Sequence, residues 1–419
     1  MPRPDRTAHG VPGAPRRPLR RVAALLLLTV AGQAQPAGAT APAAPGRPSG
    51  VVTWAASADL AGMGSSGRGY RMVVRTSTGG SGLRIRVSNA FGDRPLTVDR
   101  AYAGLRGDGA ALREGSNRPL TFGGSRTVTV PAGAVVWSDP LPGRWPAAAA
   151  LAVSLRTPGA AGPATGHALA LRTSYLSEGD HTAEESGAHW TRTTRAWWYL
   201  DAVSVRPERP GTGAVAALGD SVTDGRLSTA DRDRRWPDDL ARRLRTARAA
   251  VQGVADEGIS GNQLLRDGGG QSALHRLDRD VLSQPGVRTV ILFEGVNDLK
   301  GIPGASAAAL VAGYREIVRR AHAAGVCVVG ATVGPFKGWP EWSPAAEAVR
   351  RDVNRFIRTG GAFDAVADFD RALRDPGDPE RMRPGLDGGD HLHPGDRGMR
   401  ALAGAVDLTS LDCGRRVRH

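Results

Sequence analysis

Lysine is almost missing from this chain: of 55 basic residues only Lys300 and Lys337 are lysines, and the arginines are scattered along the whole length. Cysteine is nearly missing too. Cys327 lies in an apolar run and Cys413 near the C-terminus, so a disulfide framework is excluded, and nothing in their positions requires the two to meet. No cysteine–histidine cluster has zinc spacing. Aromatic residues make up only 5% of the chain, and no basic stripe with interleaved aromatics is present. A formal net charge of +14 therefore reflects an arginine-biased composition rather than a nucleic-acid face. The apolar run Val22–Ala31 is only ten residues long, too short for a permanent membrane anchor.

That short run has a different meaning. Arg16, Arg17, Arg20 and Arg21 precede it and Ala37-Gly38-Ala39 follows it, the pattern of a cleavable secretory leader over residues 1–39. The paired arginines invite comparison with twin-arginine export, although the residues around them match it poorly. The leader carries six arginines and one aspartate, so the remaining chain keeps about +9 by the same count. No cysteine stands at the cleavage site to take a lipid. A secreted, soluble, monomeric protein is expected.

What is abundant is glycine and proline, 56 and 29 residues, in a chain of 419 that is long enough for two domains. Residues 40–49 read as a linker. From 50 to 206 the apolar pattern has period two, best in Leu83-Arg84-Ile85-Arg86-Val87-Ser88. Further strands are predicted at Arg71–Arg75, Val128–Val130, Ala134–Trp137, Leu151–Leu155, Ala168–Tyr175 and Tyr199–Val205. Short strands without a helical stretch imply an all-β sandwich of jelly-roll type. It shows no catalytic constellation and reads as a domain that packs on its neighbour or binds an extended ligand. Residues 207–213 form a Pro/Gly hinge, and the period then changes. Apolar strands at Ala214–Leu218, Thr289–Phe293, Val326–Thr332 and Ala362–Phe369 alternate with helical patterns. These are marked by Leu240 and Leu244, by Leu274, Leu277 and Val281, by Leu310, Tyr314, Ile317 and Ala321, and by Val349, Val353 and Phe356. This predicts an α/β domain over 214–408, a parallel sheet covered on both faces, with its site at the carboxyl ends of the strands. Residues 409–419 read as a disordered tail.

Four phrases fall at those strand ends. Gly219-Asp220-Ser221 ends the first strand in a turn that exposes a serine hydroxyl. Glu257-Gly258-Ile259-Ser260-Gly261 follows the second, where glycine lets backbone N–H groups approach an oxyanion. Gly295-Val296-Asn297-Asp298 follows the third and offers a side-chain amide. Asp390-His391-Leu392-His393-Pro394 comes last, and an aspartate three residues before a histidine can hold the imidazole through Nδ1–H. Each phrase alone is an ordinary turn or cap; four in order are a constellation.

Taken together, these blocks resemble the GDSL/SGNH hydrolases over about 214–408. The resemblance implies a flavodoxin-like three-layer α/β/α domain with Ser221 as nucleophile, His393 as base and Asp390 as its partner. It further implies an oxyanion hole of the Ser221 and Gly261 N–H groups with the Asn297 amide, and no metal or organic cofactor. Arg235-Trp236-Pro237-Asp238-Asp239-Leu240, Glu294-Gly295-Val296-Asn297-Asp298 and Ser88-Asn89-Ala90-Phe91-Gly92 look like a secreted bacterial branch. In that branch a β-domain precedes the hydrolase, and its members are arylesterases or xylan acetylesterases. Two departures stand out. Val222 replaces the leucine of the family name, and Asp256-Glu257 puts two carboxylates before Gly258, close to the oxyanion glycine in sequence.

Asp220, Asp224, Asp298, Asp387 and His391 read as caps or loop anchors. Trp339 and Trp342, after the fourth strand, either line the cleft against a sugar or aryl ring or serve as packing. The expected activity is hydrolysis of short acyl esters, acetyl first, on a small molecule or a plant polysaccharide. The alternatives are a lipase or phospholipase acting on longer chains, against which the lack of a long apolar lid counts, and an idle hydrolase fold that binds glycans.

Overall fold

The computed structural model describes residues 50–159, 162–300 and 304–412, which belong to one compact unit. The leader, the linker and Cys413 lie outside the described residues. Cys327 is disulfide-bonded.

Strands with alternating side chains bury one face, and here two antiparallel sheets do so against each other. One has Leu200–Pro207 between Val51–Ala55 and Gly80–Ser88, with Leu141–Trp145 and Val135–Trp137 also paired to Gly80–Ser88. The other runs Arg192–Thr194, Ser174–Glu178, Arg68–Arg75, Ala150–Thr157, Arg100–Leu105, Arg118–Pro119. Ile85, Val87, Met72, Val74, Val153 and Leu155 fill the space between them. The strand expected over Ala168–Tyr175 is mostly a turn: Pro163–His167 ends before it, and Ser174–Glu178, in a different sheet, begins only at its last two residues. The chain between them turns with Leu171 at φ 49°, a left-handed conformation that breaks a strand.

The parallel sheet has the order Val251–Gly258, Gly213–Gly219, Val287–Phe293, Cys327–Ala331, Ala365–Ala367, so the strand carrying the serine is flanked on both sides. Its side chains alternate between two cores. Ala214, Ala216 and Leu218 pack with Leu277, Leu310, Ile317 and Val353 on one face. Val215 and Ala217 pack with Trp236, Leu240, Phe369 and Leu402 on the other. Helices therefore cover both faces, the expected three layers. The final strand is shorter than the sequence pattern implied, because Asp368 caps a helix beginning at Phe369.

Strand Val251–Gly258 is the sheet's edge, and the β-sandwich covers it. Ser77 Oγ accepts from the Val254 N–H at 3.0 Å, and Ala56 bridges to Asp256. A side chain at Gly253 would collide with the Val52 carbonyl. Val51, Val52 and Ala55 join the core of the parallel-sheet domain, while the interior of the β-sandwich stays a separate cluster, and no exposed edge is left between the two sheet systems. The expected disorder from residue 409 does not hold as far as 412. Leu411 is fully buried, its carbonyl accepts from Thr289 Oγ1 at 2.8 Å, and Asp412 pairs with Arg288 at 2.7 Å. An apolar side chain near the end of a polar tail is enough to anchor it.

Candidate active site

The strand that leads to Ser221 is buried to its last residue, Gly219, and the chain turns at once into the short helix Ser221–Asp224. Asp220 caps that helix by accepting from the Val222 N–H at 2.9 Å. Ser221 is the first helical residue, so its N–H has no intrahelical acceptor. At Gly219 a side chain would run into Thr223, which is why this turn needs glycine.

Ser221 Oγ lies 2.8 Å from His393 Nε2, and His393 Nδ1 lies 2.6 Å from Asp390 Oδ2. The other Asp390 oxygen accepts the N–H groups of His393 at 2.8 Å and Leu392 at 3.1 Å. With its Nδ1–H given to Asp390, the ring presents a lone pair at Nε2 to the serine hydroxyl. His391 takes the opposite course. It sits at φ 68°, half exposed, with Nδ1 on Asp387 at 2.7 Å. Pro394 precedes the last helix, which starts at Asp396, and the turn is closed by the Gly388 N–H on the His393 carbonyl at 2.8 Å.

Burial pulls the His393 pKa below the ordinary imidazole value. Asp390 opposes this, while the nearby charges of Arg226 and Lys300 add to it. Asp390 ends below the usual carboxylate range: burial raises it, but the His393 and Leu392 N–H groups and the His393 ring outweigh that. Burial takes Asp220 up to about 6 and also lowers Lys300.

The second and third phrases meet beside this chain. Asn297 Nδ2 donates one hydrogen to the Asn262 carbonyl at 2.7 Å, which fixes the amide plane and leaves a second N–H. Asp298 accepts from the Leu264 and Leu265 N–H groups at 2.8 and 3.1 Å. Asp224 Oδ2 accepts both the N–H and the hydroxyl of Ser260, at 2.9 and 2.6 Å. Gly261, at φ 82°, follows directly. The Trp339 ring stands edge-on to His393, centroids 5.7 Å apart, and Lys300 Nζ lies 5.0 Å from the Trp339 centroid. Both tryptophans pack against the core, and Trp342 has Lys337 Nζ 5.6 Å from its ring. Only Trp339 of the pair meets the histidine.

Asp256 and Glu257 do not face the oxyanion glycine as their place in the sequence suggested. They end a strand, and the strand delivers them to the interface with the β-sandwich. Asp256 pairs with Arg235 at 2.9 Å, and Glu257 accepts from Ser57 Oγ at 2.9 Å and Gln284 Nε2 at 3.0 Å. Burial raises both, Asp256 to about 7.

Sequence reasoning missed the fully buried Arg276. It donates to the carbonyls of Gly219 (2.9 Å) and Glu257 (2.7 Å), to Ser57 Oγ (2.7 Å) and to Asn262 Oδ1 (2.9 Å). Its signal was readable: Arg276 and Asp280 lie at i,i+4 on the helix face that carries Leu277 and Val281 inward. Ser57 and His167, from the β-sandwich, had none. Among the described residues one group, His181, Glu184 and His189, has metal-ligating atoms close together. Its two imidazole Nδ1 atoms each lie 2.7 Å from a different Glu184 oxygen, and the rings stack at 4.0 Å and 20°. No helix among the described residues is long and apolar enough to cross a membrane.

Solved structures similar to the chain include the lipase/acylhydrolase from Enterococcus faecalis, at 19% identity, TM-score 0.38, covering 49% of this chain and 97% of that one. A carbohydrate acetylesterase from Sinorhizobium meliloti is 15% identical, with TM-score 0.37 and coverage of 49% and 98%. A GDSL-like lipase from Bacteroides thetaiotaomicron is 18% identical, with TM-score 0.37 and coverage of 47% and 87%. No curated protein matches the sequence. Residues 217–401, which hold the serine, the Asn297 amide and the Asp390–His393 turn, match the GDSL-like lipase/acylhydrolase family, and this match makes the protein an ester-cleaving hydrolase.

Proposed function

We propose that the protein hydrolyses short-chain acyl esters, acetyl esters foremost, on plant polysaccharide or small alcohols outside the cell, through a serine acyl-enzyme. The observation that carries the mechanism is the unbroken chain Asp390–His393–Ser221, with contacts of 2.6 and 2.8 Å. His393 Nε2 takes the Ser221 proton as Oγ attacks the ester carbonyl. The negative oxygen that forms is received by the Ser221 and Gly261 N–H groups and the second N–H of Asn297. His393 then gives its proton to the departing alcohol. Water repeats the attack on the acyl-enzyme with His393 again as base, releasing the acid and restoring Ser221. Asp390 holds the ring and stabilises its charged form without itself taking the proton.

The short-acyl preference draws support from the surface. The exposed large apolar residues among those described are Leu60 and Met63 on one strand, Val135, Leu227 and Val366, few for the rim that a lipid surface requires. The extracellular location rests on the residue pattern of the leader. One panel tests the whole reading: nitrophenyl acetate, butyrate and palmitate together with acetylated xylan. Acetyl turnover with release of acetate from xylan supports it. Faster palmitate hydrolysis at matched solubility makes the enzyme a lipase. Xylan binding without turnover of any ester makes it an idle hydrolase.

A further inference from the structure

We propose that His167, a residue of the β-sandwich, is a positioning residue of the hydrolase: as an imidazolium wedged between Ser57 and Asp224 it fixes the carboxylate that clamps Ser260 beside Gly261. The proposal rests on the reading of Gly261 as an oxyanion donor.

His167 ends the strand Pro163–His167 and is buried against the nucleophile helix. Its Nδ1 lies 2.8 Å from the Ser57 carbonyl. Its Nε2 lies 3.0 Å from Asp224 Oδ1 and 3.2 Å from the Leu169 carbonyl. Carbonyl oxygens only accept, so a hydrogen is required on each ring nitrogen, and a histidine with two ring hydrogens is a cation. The charged groups around it agree. Asp224 touches it and Asp256 is near. The Trp197 ring tilts over it at 5.4 Å, with Arg235 5.8 Å from that indole and itself paired to Asp256. Burial pulls the ring's pKa down, but the Asp224 carboxylate and the Ser57 carbonyl reverse that and lift it to about 9.

Asp224 is the last residue of the serine helix, and its two oxygens divide the work. Oδ1 takes the His167 hydrogen; Oδ2 takes both hydrogens of Ser260, the residue before Gly261. Helix and loop also touch directly, since a side chain on Gly258 would collide with the Asp224 backbone. The position of the Gly261 N–H thus depends on a carboxylate that the neighbouring sheet system holds in place. Loss of the His167 proton leaves the Nε2 lone pair facing two acceptors, which pushes Asp224 away and loosens the loop.

The test uses the full chain and a soluble acetyl ester. His167→Gln, whose two amide hydrogens sit on one nitrogen and which sets a carbonyl oxygen against one of the two acceptors, should lower kcat by roughly 10- to 100-fold with KM near wild type, because an oxyanion donor is displaced and not the substrate surface. Wild-type kcat should fall as pH rises through about 9, and the variant should lack that limb. A merely structural histidine would change thermal stability but neither this split nor the limb. A folded His167→Gln enzyme with wild-type kcat and the same alkaline limb overturns the proposal. Should that variant not fold, Ser260→Ala decides on the same readouts: reduced kcat at unchanged KM with no alkaline limb supports it, and wild-type behaviour overturns it. Ser221→Ala separates this inference from the reading beneath it. Activity surviving in Ser221→Ala refutes the serine mechanism, whereas a dead Ser221→Ala beside an unaffected His167→Gln refutes only the role of His167.

Discussion

Arg276 Nε donates to Asn262 Oδ1 at 2.9 Å, and the backbone carbonyl of the same asparagine holds the Asn297 amide at 2.7 Å. One buried guanidinium thus connects the oxyanion loop to the carbonyls of Gly219 and Glu257, the ends of two adjacent parallel strands. Replacing it leaves the buried Glu294 without its cation, Asp280 with Arg279 alone, and the Gly219 and Glu257 carbonyls without their donor. Arg276→Met should cost about 3–5 kcal/mol of stability, as for other broken buried pairs. Arg276→Lys should rescue little, because an ammonium cannot reach four acceptors in a fork. Urea midpoints measure both; a loss below about 1 kcal/mol for either would contradict this account.

Asn297→Ala should lower kcat by about 10²–10³ with little change in KM, the usual effect of losing one oxyanion donor. The fixed amide plane is the reason: one hydrogen is held by Asn262, and the other has no competing task. Steady-state kinetics on the folded variant checks it, and a near-normal kcat would remove Asn297 from the hole.

Two histidines in one turn separate cleanly. His393→Ala should nearly abolish acylation, while His391→Ala, which loses only its surface contact with Asp387, should cost less than about tenfold. Asp390→Asn leaves the ring without its acceptor and should lose up to ~10⁴ in kcat, by the precedent of serine proteases. Burst kinetics with a nitrophenyl ester resolves the three; equal losses at both histidines would overturn the assignment.

The acid limb of kcat/KM should follow His393, which must be neutral to take the serine proton. Burial, with help from Lys300 and Arg226, holds its pKa below the ordinary 6.5, so activity should persist into weakly acidic solution. Removing a nearby positive charge favours the imidazolium. Lys300→Gln should therefore move the limb to higher pH and leave the plateau nearly intact. A limb that stays put or moves to lower pH would exclude Lys300 from the field at the base.

The candidate site was legible where its parts are local, although the contact of Ser221 with His393 spans 172 residues. Gly219-Asp220-Ser221 ends an apolar strand, and Asp390 and His393 are three residues apart, so spacing alone brings carboxylate to imidazole. The change from period two to alternating strands and helices likewise announced two sheet systems, since burial on one face and burial on both leave different patterns. What surrounds the triad was not legible. Asp256 and Glu257 sit beside the oxyanion loop in sequence, yet a strand delivers them to the β-sandwich interface. His167 and Ser57 meet Asp224 and Arg276 across 57 and 219 residues, and the periodicity of neither segment carries a trace of the other. The sequence by itself determined the strand ends, the turn that holds Asp390 against His393 and the order of the four blocks. Only the tertiary structure decided that the β-sandwich closes the sheet's edge and reaches the serine helix, because edge pairing and buried ion pairs are set by which surfaces meet, and local patterns record only that a face is buried.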